Sequence, residues 1–331
     1  MVWKASKMFV LRLTHLLTLS LTPCSASAEV LFEGYYRILN GSLHVGYAVS
    51  RYEVNPKTKE FISVYFLKTS ALGGQVTESL IAKSKQDLSP ISYQYSSLVA
   101  GTSRTIDATV KASSKGRKLA VTIKAIPAGG DKGAMKTEHK EVDLPKNTIF
   151  STFLAYAMLQ SKAGLRTNAK YDYDAVAEED GEVFAGTAFV KSQEDYNGYK
   201  AYKILNEFKN TKFLSYANEK GEVLATKSPT QGIATELASQ PGEATGNQAL
   251  PTTTLTTLFG TVPMGLENAV SKEKSSKAQK LLDLPPAPQP SGMPAEAPPT
   301  QPAEDQNTND LPGKTQGVPG GKGLIIKPKT E

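Results

Sequence analysis

Histidine and cysteine are almost missing from this sequence: its 331 residues hold three histidines and one cysteine, Cys24. His44 and His139 stand alone, without the His-x-x-x-His or Glu-x-x-His spacing that sets two ligands on one helix face, so no metal site is expected. The Gly-x-Ser-x-Gly turn that presents a serine nucleophile is also absent. Gly313-Lys314-Thr315 has the ending of a phosphate-binding loop, but the loop's first glycine would fall at Thr308. Long apolar runs are lacking as well. Residues 13–21 are interrupted by Thr14, His15, Thr18 and Ser20, and fall short of the roughly 20 residues a membrane-spanning helix needs.

That short run has another use. Lys4, Lys7 and Arg12 precede it and Ala26-Ser27-Ala28 follows it, the order of a cleavable export signal. The expectation is a signal peptide over 1–28, a working chain from Glu29, and a periplasmic or secreted location. Lipid attachment at Cys24 is disfavoured by Pro23, where a small residue is required. Cleavage after Ala28 removes the only cysteine, so disulfides and thiolate chemistry are excluded even in an oxidising compartment.

Charge does not point to nucleic acid. The net charge of +6 includes Lys4, Lys7 and Arg12, and their removal leaves 6 − 3 = +3. The remaining lysines are interspersed with Glu and Asp, which reads as a solvated surface. Eleven of the twenty prolines lie at or beyond Pro285, and no aromatic residue follows Phe259. Residues 285–331 are therefore expected to be a disordered, proline-rich tail, and 246–284 a linker with one short helix near its end.

What remains, 29–245, is dominated by alternation of period two. Residues 30–39, 42–53 and 61–67 place β-branched and aromatic residues on one face, as half-buried strands do. Further strands are expected at 92–99, 105–112, 118–126, 136–142, 182–193, 199–208, 212–217 and 223–227. Asn40-Gly41 predicts a tight type I′ hairpin. Between Pro145 and Gly164, Ile149, Phe150, Phe153, Leu154, Ala157 and Met158 recur at helical spacing, predicting one amphipathic helix. So many consecutive antiparallel strands must hide their edges, and curling does this. The predicted fold is mainly β: a curved antiparallel sheet, barrel or half-barrel, with one helix on its concave side. Glu178-Glu179-Asp180 and Glu182 lie too close in sequence for a glycosidase pair across a cleft, and they read as a solvated hairpin tip.

Several short motifs resemble an exported bacterial β-rich family, domain of unknown function 3108. They are Gly34-Tyr35-Tyr36-Arg37-Ile38, Val45-Gly46, Pro90 before Ile91-Ser92-Tyr93, Val142-Asp143-Leu144-Pro145 ahead of the helix, and the closing hairpin Asn218 to Leu224. Ser228-Pro229 to Leu237 is similar to the end of the β-domain that precedes some transglutaminase-like proteins. The resemblance implies a curved sheet like those of periplasmic lipoprotein carriers and supplies no catalytic residues. It implies a concave apolar face for a lipid or an envelope protein partner, with Phe150, Phe153, Leu154 and Met158 as candidate cavity lining. The function expected is non-catalytic binding without a cofactor. The alternatives are a structural adaptor and, lower, a carboxylate-dependent hydrolase.

Overall fold

The computed structural model describes residues 28–114, 116–130, 134–246 and 248–282. The expected export signal, Cys24 and the proline-rich tail lie outside them. The first meander runs β1 (Glu29–Asn40), β2 (Leu43–Val54), β3 (Phe61–Thr69), β4 (Val76–Ser84), β5 (Pro90–Val99), β6 (Thr102–Ser113), β7 (Gly116–Ile126) and β8 (Lys136–Leu144). After β9 (Ile149–Phe150) and a 3₁₀ turn at Ser151–Phe153 comes helix α1 (Leu154–Gln160). The second meander continues through β10 (Lys170–Ala177), β11 (Glu182–Tyr196), β12 (Tyr199–Phe208), β13 (Thr211–Ala217), β14 (Val223–Ser228) and β15 (Ile233–Ala238). Three helices follow, α2 (Pro241–Thr245), α3 (Thr252–Phe259) and α4 (Ala269–Leu282).

All the strands join one 15-stranded sheet, in which β1 pairs with β15 and the edges are β8 and β9. Every neighbouring pair is antiparallel except β9 with β10. A sheet this wide does not stay flat. Bulges at Val30/Phe32 in β1, at Val45 of β2 opposite Ile38/Leu39, and at Val190/Ser192 in β11 add local bend. The sheet curls without closing. Lys140 on edge strand β8 reaches across to the backbone carbonyl of Asp180 (3.1 Å) and the Glu182 carboxylate (2.8 Å), at the β10–β11 turn.

The concave face is filled from the middle of the chain. Phe150 and Phe153 are fully buried against Tyr93, Ile106, Leu119 and Val121 of the first meander. Met158, one turn further on, packs with Ala188, Val190, Ile204 and Ala217 of the second. The expected long helix is thus a two-residue strand, a 3₁₀ turn and seven helical residues. Apolar spacing of three and four did not distinguish these, and β10 offered Ile149 and Phe150 a strand to pair with.

The convex face over β1–β3 is covered too. α2 and α3 bring Ala244, Leu255 and Phe259 onto Tyr35, Tyr47, Val49, Val64 and Phe66. Beneath them Arg51 and Glu33 form an ion pair at 2.6 Å, each side chain 8% exposed. Arg51 also donates to the Phe259 carbonyl (2.7 Å), and Glu33 accepts from the Gly265 amide (2.6 Å). Residues 246–284 are therefore not simply a linker. Leu250, Leu255, Leu258, Phe259 and Val262 give them an apolar side that seals the sheet's outer surface. Asn40-Gly41 also differs from expectation: Asn40 pairs with Leu43, and Gly41 alone has positive φ (59°), the pattern of a type II′ turn.

Candidate functional site

The curl leaves one part of the concave face unfilled. Pairing register sets Tyr36 opposite Ala48, Ser50 opposite Tyr65, Tyr65 opposite Leu80 and Leu80 opposite Tyr95, all on the inner face, while Glu78 sits two residues before Leu80 on β4. Thr226 and Thr235 pair across β14 and β15 and extend the same wall. Ser151, Thr152, Glu178 and Glu179 complete the lining. Together these residues border an open chamber of about 500 Å³.

Its walls are held by named bonds. The Tyr36 hydroxyl donates to the Val223 carbonyl and the Tyr52 hydroxyl to the Thr152 carbonyl, each at 2.8 Å. Ser63 Oγ and Thr152 Oγ1 are 2.9 Å apart, so β3 also grips the 3₁₀ turn. Glu178 is 3% exposed; it accepts from Ser151 Oγ (2.6 Å) and from the Thr152 amide (3.2 Å). Burial pushes its carboxyl up to about 7, against the pull of those hydrogen bonds. Burial also raises Glu78, opposed by the Tyr95 hydroxyl. Tyr65 and Tyr95 are raised by burial first and by Glu78 second.

The solvated-tip reading of 178–182 fails at Glu178, which is buried, while Glu182 is exposed. On the β10–β11 turn Lys209 pairs with Glu179 (2.6 Å) and with Asp180, and Arg104 donates to the Glu179 carbonyl. A Cβ on Gly181 would lie 2.8 Å from Val121 Cγ1, so the turn sits hard against β7. Acidic residues next to Gly read as surface by composition. Here three basic side chains from β6, β8 and the β12–β13 turn hold them in.

The four residues singled out as cavity lining do not share one cavity. Phe150 and Phe153 are sealed in the core, Phe150 edge-on to Tyr93 at 5.4 Å and Phe153 edge-on to Phe61 at 6.5 Å. Leu154 and Met158 border a different hollow, of about 580 Å³, with Leu88, Asn147, Tyr171 and Tyr173. His44 bonds its own neighbour, Gly46 O, at 2.8 Å, and His139 lies on exposed β8 beside Thr122. Neither borders the chamber. The lining that sequence reasoning missed, Tyr36, Tyr52, Tyr65 and Tyr95 with Glu78 and Glu178, had one available signal: tyrosines at inward positions of β1, β2, β3 and β5, of which Tyr65 and Tyr95 share a cross-strand row.

The fold and chamber together define a curled, unclosed β-sheet wrapped on a short helix around an aromatic and acidic hollow. No protein-family model and no curated protein matches the sequence. Among solved structures it is similar to the crystal structure of a beta-barrel-like protein of domain of unknown function DUF1849 from Brucella abortus. The TM-score is 0.42 with 10% identity, over 63% of this chain and 96% of that one.

Proposed function

We propose that this protein is a non-enzymatic binding module of the bacterial envelope, exported by residues 1–28, whose ligand occupies the chamber on the concave face. The observation that carries the reading is the chamber itself. Phe150 and Phe153 pack the concave face against the first meander, yet between β14 and β5 inward side chains border about 500 Å³ of open space. Ligand sites are concave, largely pre-formed and lined by aromatic residues with a few polar groups. Two of the rings are fixed by hydrogen bonds from their own hydroxyls, which lowers the ordering cost of binding.

Binding fits better than turnover. Both histidines, the commonest general bases, lie away from the chamber. The apolar surface expected for a lipid carrier is replaced by tyrosine rings, hydroxyls and carboxyls, so a small polar or amphipathic ligand suits the lining better than an acyl chain. Among the described residues no helix is long and apolar enough to cross a membrane.

The test is to fill the space. Thr235→Trp puts a large ring into the chamber from β15. Native mass spectrometry of the freshly purified protein should show a bound small molecule that the variant loses while its circular dichroism stays unchanged. A folded Thr235→Trp protein that keeps the same bound species, or a native protein that carries none and binds no compound in a small-molecule screen, would overturn the proposal.

A further inference from the structure

Resting on the reading that the chamber holds a ligand, we infer that this ligand is an organic ammonium ion: a protonated amine received by Glu78 and Glu178, its carbon skeleton lying against the rings of Tyr36, Tyr52, Tyr65 and Tyr95.

Charge accounting is the first argument. Among the described residues neither Glu78 nor Glu178 has a cationic partner, whereas Glu179, next in the chain, is paired with Lys209. Of the other buried glutamates, Glu33 is matched by Arg51, and Glu222 accepts from the Asn218 side-chain amide and the Ala269 backbone amide. No lysine or arginine lines the chamber. Two carboxyl groups therefore border one hollow with only hydroxyls and a backbone amide for company. Burial holds both toward their protonated forms, and a bound cation would draw them into the ionised form and gain the charge-charge attraction.

The rings are the second argument. An aromatic face carries the negative end of its quadrupole, and cages of several tyrosines are a recurrent way to hold an alkylated or primary ammonium group. Four tyrosines here come from β1, β2, β3 and β5, with Tyr65 and Tyr95 beside Glu78.

The alternatives fit less well. A carboxylate or phosphate ligand would enter a space bordered by Glu78, Glu178 and Glu179 with no base to receive it, at the cost of like-charge repulsion and desolvation. A neutral sugar could use Ser50, Thr226 and Thr235, but would gain nothing from the charge either carboxyl can develop.

Saturation-transfer NMR on the purified full protein tests this with a matched set of probes: 2-phenylethylammonium, 2-phenylethanol, 3-phenylpropanoate and methyl glucoside. The ammonium probe should bind at least about tenfold more tightly than the alcohol, and the carboxylate should not bind. Glu78→Gln and Glu178→Gln should each weaken the ammonium probe at least about fivefold and leave the alcohol within about twofold. Glu78 is only partly buried, so its variant keeps the test valid if Glu178→Gln perturbs folding. Equal or tighter binding of the alcohol, the carboxylate or the glucoside, lost on Thr235→Trp, overturns the ammonium inference and leaves the chamber reading standing. Ammonium binding that survives Thr235→Trp in a folded protein overturns both, and so does binding of no probe together with the absence of any co-purified ligand.

Discussion

Glu178→Gln should stabilise this protein, and more so the higher the pH. In the folded chain burial raises the Glu178 carboxyl from its ordinary 4.5 to about 7. Between those two values the folded form holds a proton that the unfolded chain has released. The folded state therefore binds more protons, and stability falls as pH rises through this window. The penalty is absent below the unfolded value and complete above the folded one. At 1.36 kcal/mol per pH unit, a rise from 4.5 to about 7 is worth about 3 kcal/mol. Glutamine keeps the shape and never ionises. Its carbonyl can still accept from the Thr152 amide, and its NH₂ can donate to Ser151 Oγ, reversing that bond at little cost. Urea denaturation of both proteins from pH 5 to 8.5 isolates the residue, because other titrating groups, Glu78 among them, contribute to both curves. The expected result is a difference of under about 1 kcal/mol at pH 5 that grows to about 3 kcal/mol in favour of the variant above pH 7.5. Parallel stability profiles would refute the claim that Glu178 is buried in its protonated form.

Arg51→Met should cost about 3–5 kcal/mol, seen as a fall in the denaturation midpoint, because it strands the buried Glu33 carboxylate; Arg51→Met with Glu33→Leu should recover much of that loss. Gly46→Ala should destabilise by about 2–3 kcal/mol, since its Cβ would lie 2.4 Å from the Lys68 carbonyl oxygen, which is backbone of β3 and cannot step aside. Gly41→Ala, at positive φ but in open space, should cost only about 1 kcal/mol in the same assay.

How much of this was legible beforehand varies along the sheet for a physical reason. Strands with one solvated face, such as β7 and β12, alternate cleanly, and their limits match the expected ones within about two residues. β4 was passed over. Its Val76-Thr77-Glu78-Ser79-Leu80-Ile81 shows no plain alternation, because Leu80 faces the concave core while Ile81 packs toward the convex one, and a polar Glu78 points into the chamber. The same two-sided burial blurs β2, which is buried at seven consecutive positions. β10 is different: Tyr171 and Tyr173 alternate with Lys170, Asp172 and Asp174, a readable signal just after the turn residues Gly164 and Asn168. The chamber could not be read at all. Which tyrosines meet depends on register and curl, and burial of Glu178 depends on Arg104, Lys140 and Lys209, which are 74, 38 and 31 residues distant in sequence.

The C-terminal limit of the folded unit offers a sharp test of that two-sided burial. Composition places the end of the β-domain at 245, whereas packing places it beyond α3. A chain cut after residue 245 would uncover Tyr35, Tyr47, Val49, Val64 and Phe66, against which Leu255 and Phe259 are packed with 0% and 7% exposure. Burial of those two side chains alone is worth about 3–6 kcal/mol, a large share of the 5–15 kcal/mol by which domains of ordinary stability are held. The cut also removes the Phe259 carbonyl that Arg51 bonds, the Gly265 amide that Glu33 accepts, and the Asn268 amide that donates to the Glu33 carbonyl at 2.9 Å. The buried ion pair would be left with its secondary partners gone and water at its edge. A fragment of residues 29–282 should therefore unfold cooperatively at the midpoint of the full chain, while 29–245 should be aggregation-prone or unfold at much lower urea. Equal midpoints would show that α3 merely rests on the sheet, and that the apolar stripe on the convex face of β1–β3 is tolerated in water.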